Sequence, residues 1–170
     1  QGLYEDAALG YQKILSENKK HQPSLLNLGV VYYVKSSYDL AMDNFQKALD
    51  LDDKDVDALY NLGRTLQACK KFSESLEFLK KAYELNSKDG MILKCLGRGY
   101  FELGFYEEAS EILQKYLEKE PDDLEGLMQF SESKIKLGAF DVAGFGLKRV
   151  IDLDQRSEEH TSELQSPCNL

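Results

Sequence analysis

One pattern returns along this chain every 34 residues, with no insertion or deletion between copies. Leu28-Gly29 comes back as Leu62-Gly63 and Leu96-Gly97, and in degraded form as Phe130-Ser131. Tyr38 returns as Phe72, Tyr106 and Phe140; Ala41 as Ser75, Ala109 and Ala143; Phe45 as Leu79, Leu113 and Leu147. Tyr4, Ala7 and Tyr11 anticipate the same three positions. A fixed period of this size marks a solenoid, in which each unit is too small to bury its own apolar face and stacks on the next. Such a chain is expected to be a binding scaffold and not an enzyme.

Within a unit the apolar residues follow a helical period. Leu25, Leu28, Val31 and Tyr32 fall on one face, Ser36-Ser37 interrupts, and Ala41, Met42, Phe45, Ala48 and Leu49 resume it. The second unit turns at Lys70-Lys71, the third at Gly104 and the fourth at Gly138, the last helix ending near Leu153. This predicts an all-α fold, an α-solenoid of antiparallel helix pairs. Residues 1–21 read as the second helix of a truncated repeat, followed by repeats at 22–55, 56–89 and 90–123 and a degenerate one at 124–155. Gly29, Gly63 and Gly97 lie mid-helix, where glycine is unfavourable by roughly 1 kcal/mol against alanine. They are expected where the paired helices cross closely, with Ala41, Ala109 and Ala143 on the partner.

Composition narrows the function. With 42% hydrophobic residues a core is assured, and a net charge of -9 sets the surface against nucleic acid and anionic membrane. No run of about 18 apolar residues is present to span a bilayer. Cys69, Cys95 and Cys168 lack metal-ligand spacing, and His21 and His160 are the only histidines. No metal site, Ser-His triad or cofactor is therefore expected, and the thiols suit a reducing, cytoplasmic setting. No phosphate-binding loop or nucleophile elbow occurs, and carboxylates such as Asp50, Asp52, Asp53 and Asp55 fall in loops and at helix ends.

Residues Leu25, Leu28-Gly29, Tyr32, Ala41 and Phe45, and again Leu93, Leu96-Gly97, Tyr100, Ala109, Leu113 and Pro121, together resemble the tetratricopeptide repeat. The departures are Leu at 25, 59, 93 and 127 where the family often has Trp, Ser75 for Ala, Tyr116 for a small residue, and Ser131 and Lys134 for Gly and Tyr. The resemblance implies a right-handed superhelix whose first helices line a concave groove. Carried onto this chain, the groove positions are Leu26, Asn27, Val30 and Tyr33; Tyr60, Asn61, Arg64 and Gln67; Lys94, Cys95, Arg98 and Phe101; and Met128, Gln129, Glu132 and Ile135.

Among these, Asn27, Tyr33, Tyr60, Asn61, Arg64, Lys94, Arg98 and Phe101 form the candidate peptide-binding site. Arg64, Lys94 and Arg98 would make a positive strip within an acidic protein, Tyr60 and Phe101 an apolar anchor, and the two asparagines backbone contacts for an extended, acidic peptide. The places used by repeats that clamp chaperone C-termini hold Leu26, Val30, Asn61, Met91 or Glu125, and Cys95 or Gln129. Only Asn61 agrees, which argues against such a clamp. The partner is thus read as a protein or peptide, with no nucleic acid and no membrane. The alternatives are the targeting repeats of a larger enzyme, such as a glycosyltransferase, and a structural subunit of an assembly. Uncovered apolar residues at both ends, Tyr4, Ala7, Tyr11 and Ile14 and then Leu147 and Ile151, imply self-association or fraying of the ends. Both termini read as cuts through a longer protein. Residues 156–170 carry no repeat and are expected to be an artefactual, disordered tail; 156–166, RSEEHTSELQS, resemble the translation of a sequencing adapter.

Overall fold

The period of the sequence is also the period of the helices. The protein, as a computed structural model, is described over residues 2–165, with side chains through residue 156. Nine helices and no strands occur among the described residues: α1 (Gly2–Glu17), α2 (Gln22–Val34), α3 (Tyr38–Leu49), α4 (Val56–Ala68), α5 (Phe72–Leu85), α6 (Gly90–Glu102), α7 (Tyr106–Leu117), α8 (Leu124–Lys136) and α9 (Phe140–Gln165). Each packs on its neighbour in sequence. The even-numbered helices also touch one another across unit boundaries, whereas among the described residues the odd-numbered ones do not. Helices α2, α4, α6 and α8 therefore form the inner layer. The molecule is an all-α solenoid of antiparallel pairs.

Local chemistry starts and stops the helices in register. Asp55, Asp89 and Asp123 cap α4, α6 and α8, their carboxylates accepting from the amides of Ala58 (2.8 Å), Met91 (2.8 Å) and Gly126 (2.8 Å). One repeat earlier the place is held by His21, which makes no such cap; Pro23 occupies the first turn there. At the other end of each inner helix one residue turns left-handed: Ser36 (φ 57°), Lys70 (60°), Gly104 (79°) and Gly138 (76°). The following amide then reaches back to a carbonyl five residues earlier, as in Ser37 to Tyr32 (2.8 Å) and Phe105 to Tyr100 (3.0 Å).

The mid-helix glycines stand at close crossings. A Cβ on Gly63 would lie 2.7 Å from Leu79 Cγ, and one on Gly97 2.7 Å from Leu113 Cγ. Phe45, Leu79 and Leu113 are all fully buried over these glycines, each contributing about 1.5–3 kcal/mol by burial. The fourth unit keeps the crossing by exchanging roles. Ser131 replaces the glycine, and Gly146 on the facing helix makes room, since a Cβ there would fall on the Ser131 hydroxyl.

Helix α9 does not stop near Leu153, as the loss of apolar period implies, but runs to Gln165. No glycine or proline stands between Gly146 and Pro167, and Glu, Leu and Gln all favour helix, so nothing local terminates it. The backbone over 156–165 thus differs from the disordered tail that the wording of this segment suggests; residues 166–170 lie outside the described ones. Among the described residues, no helix is long and apolar enough to cross a membrane. Leu3 (80% exposed) on α1 and Phe145 (78%) on α9 head two uncovered apolar faces.

Candidate functional site

Tyr60 and Arg64 lie one turn apart on α4 and so point the same way into the inner face. Beside them Lys94, Cys95 and Arg98 rise from α6, Tyr33 and Tyr38 close one side, and Met91 and Glu125 stand at the other. Together with Gln67 and Ala68 they line a cavity of about 400 Å³. The sequence-predicted residues Tyr33, Tyr60, Arg64, Lys94 and Arg98 are thereby brought together. Gln67 is buried and donates to the Cys95 carbonyl (2.7 Å), an approach that Gly99 permits, because a Cβ there would sit 3.0 Å from Gln67 Nε2.

Arg64 is held by aromatic faces. Its guanidinium carbon lies 4.1 Å from the Tyr33 ring centre and 5.4 Å from that of Tyr60. Tyr33 is in turn steadied by Tyr38, centroid to centroid 5.7 Å. Among the described residues, no carboxylate comes within ion-pair distance of Arg64. Its Nε and the Tyr60 hydroxyl are both buried and neither makes a hydrogen bond of ordinary geometry, although the hydroxyl lies beside the Arg64 guanidinium and the Cys95 thiol. Burial, reinforced by the neighbouring Cys95, pushes the Tyr60 phenol up to about 12 against the opposing effect of Arg64. Burial likewise raises the Cys95 thiol, so neither group ionises at neutral pH.

Lys94 and Arg98 do not form the bare positive strip expected of them. Lys94 Nζ contacts Asp123 (2.9 Å) and Glu125 (3.2 Å), and Glu125 also lies 3.8 Å from Arg98. The reason is the next unit, whose capping aspartate and first-turn glutamate reach back across the boundary. Partial burial would lower the Lys94 ammonium, but its hydrogen bonds to these two carboxylates outweigh that and hold it above the ordinary lysine range. For Asp123, burial acts upward, yet Lys94 and the Gly126 amide prevail and lower its carboxyl below the usual value.

Three predicted residues do not line the cavity. Asn27 is exposed elsewhere on α2. Asn61 turns its amide to the Asp57 carbonyl of its own helix (2.7 Å), as short polar side chains do. Phe101 packs edge-on against Tyr106, centroids 6.0 Å apart. Conversely, Tyr38, Met91 and Glu125 are lining residues outside the predicted set. The repeat register held the signal for the last two, which are 34 residues apart and follow the N-caps Asp89 and Asp123 by two.

A larger cleft, about 630 Å³, opens between α1 and α3 over Leu25, Leu28 and Tyr32. Much of its polar wall is paired within the protein: Gln12 donates to the Tyr32 hydroxyl (2.8 Å), Lys47 to Asp43 (2.6 Å) and Asn44 to the Leu40 carbonyl (2.8 Å). Among the described residues, only the inner cavity combines charge, aromatic faces and unsatisfied polar atoms.

Comparison with known proteins agrees with this architecture. The TPR repeat family matches residues 29–69, and the tetratricopeptide repeat family matches residues 56–89. No curated protein matches the chain. Among solved structures, the crystal structure of MamA superposes with a TM-score of 0.83 at 22% identity, covering 93% of this chain and 92% of that one. MamA residues 41 to the end from Desulfovibrio magneticus RS-1 give 0.82 at 20% identity over 90% and 86%. YrrB, described as a TPR protein with an unusual peptide-binding site, gives 0.80 at 25% identity over 95% and 84%.

Proposed function

We propose that this chain, a tetratricopeptide-repeat protein, is a protein-interaction scaffold holding an extended acidic peptide in its inner groove, with a ligand carboxylate at Arg64. The observation that carries this reading is the condition of Arg64: a cation stacked on two tyrosines in a cavity, its Nε and the neighbouring Tyr60 hydroxyl both without acceptors. Buried donors left unpaired are unfavourable, so an oxygen supplied by a partner satisfies what the protein does not. For Nε to meet such an oxygen the guanidinium must swing out of its buried position. Met91 and the tyrosine rings offer an apolar wall beside it. YrrB, similar in fold and described as having a peptide-binding site, supports the same class of ligand. An acidic protein carrying a cation in its groove repels acidic chains over its outer surface and receives them there.

The test is a titration of labelled protein with the capped pentapeptide Glu-Leu-Glu-Leu-Glu, followed by nuclear magnetic resonance. Arg64 and Tyr60 signals should move, R64E should abolish the shifts, and the Gln-Leu-Gln-Leu-Gln counterpart should bind more weakly. Shifts confined to the α1–α3 cleft, or none at all, would contradict this reading. The exposed apolar faces of α1 and α9 favour an additional property, association of copies through these ends, which light scattering reads as a mass rising with concentration.

A further inference from the structure

Arg64 and Arg98 occupy the same place in successive units, and so do Met91 and Glu125. All four line one cavity. At the α4–α6 boundary the arginine therefore faces a thioether, and at the α6–α8 boundary it faces a carboxylate. Glu125 is surplus to what Lys94 requires. Asp123 already satisfies Lys94 at 2.9 Å and is itself fixed by capping α8. With Glu125 in place, Lys94, Arg98, Asp123 and Glu125 sum to no net charge; with it turned to solvent they carry one positive charge beside Arg64.

We propose that Glu125 is an internal competitor for the ligand's acidic group, occupying the second cationic position of the groove until a ligand carboxylate displaces it. The proposal rests on the groove reading above and names the residue that sets its selectivity. Glu125 is suited to yielding. It sits in the first turn of α8 with its side chain 48% exposed, 3.2 Å from Lys94, which Asp123 holds more closely, and a loose 3.8 Å from Arg98. Exposed ion pairs of this kind are weak and easily screened. Asp123 is the contrasting case, since its cap and its shorter contact keep it on Lys94. A ligand with one acidic group consequently takes Arg64 alone. A second acidic group gains Lys94 and Arg98 only by expelling Glu125.

The register supplies a reciprocal experiment on the whole chain. Positions 91 and 125 are both exposed, so E125M, E125Q and M91E should leave the helical signal in circular dichroism unchanged. Dissociation constants for capped Glu-Leu-Glu-Leu-Glu are then measured by the same titration. E125M and E125Q should tighten binding by about two- to fivefold, the size of one exposed ion pair. M91E, which sets a carboxylate opposite Arg64, should weaken it by a similar factor. The uncharged Gln-Leu-Gln-Leu-Gln peptide should be indifferent to all three. If the three variants bind the acidic peptide as the parent does while R64E loses it, Glu125 is no competitor and the groove reading survives. If neither the parent nor any variant binds, both fall.

Discussion

The boundaries between α4 and α6 and between α6 and α8 are built on one backbone plan and differ in the side chains that surround the arginine. Each has a glycine under a buried leucine, an aspartate cap on the next helix and an arginine at the same height. At the first, Tyr60 precedes Arg64 and Met91 faces it; at the second, Lys94 precedes Arg98 and Glu125 faces it. The first boundary leaves a cation stacked on aromatic rings and short of acceptors, while the second closes its charges on itself. What the comparison teaches is a division of labour in a repeat. Residues under the crossing repeat because the packing must, and residues facing the groove are free to diverge.

If the two boundaries are structurally equivalent, equivalent core cuts must cost the same. L79A and L113A should each lower stability by about 2–5 kcal/mol in urea denaturation and agree within about 0.5 kcal/mol, both leucines being fully buried. A large disparity would break the comparison at its base.

Asp123 serves cap and ion pair together; asparagine caps about as well, so D123N should lose only the pair with Lys94, about 1 kcal/mol or less at neutral pH. Its folded-state pKa is depressed, so the stability it contributes is present above the ordinary carboxylate value and is lost as pH falls through the folded one. The gap between parent and D123N should accordingly close on acidification in pH-dependent denaturation. A gap that persists in acid would show that the carboxylate's charge is not what matters.

The two arginines should differ in coupling. A double-mutant cycle on Arg64 and Tyr33 should give about 0.5–1 kcal/mol, and one on Arg98 and Glu125 about 0.5 kcal/mol or less. Equal values would remove the distinction between stacked and loosely paired cation.

A further contrast lies in the turns that end α4 and α6. Lys70 holds a left-handed backbone where its counterpart is Gly104. K70G should gain at most about 1 kcal/mol and G104A lose about as much, read as opposite shifts in the denaturation midpoint.

Much of this was legible in sequence because close packing leaves little choice of residue. Gly29, Gly63 and Gly97 marked the crossings, and Phe45, Leu79 and Leu113 their covers. The groove was less legible because its chemistry depends on contacts between units. Lys94 reads as a free cation until α8 folds back and sets Asp123 and Glu125 against it, 29 and 31 residues later in the chain. Asp123 looks like one more loop carboxylate until its cap is seen. Asn61 has the type and place of a ligand contact, yet its short amide bonds its own helix. Ser131 looked like decay of the repeat, and Gly146 shows it to be a compensated exchange.

The most direct test of an Arg64-centred site is to follow the Nε–H resonances of Arg64 and Arg98 separately while the acidic pentapeptide is added. A carboxylate docking beside the tyrosines predicts that Arg64 Nε–H moves at low peptide concentration and that Arg98 follows only at higher concentration, or early when Glu125 is replaced by Met. Arg98 moving first in the parent protein, or both signals remaining still while peptide binds, would contradict it.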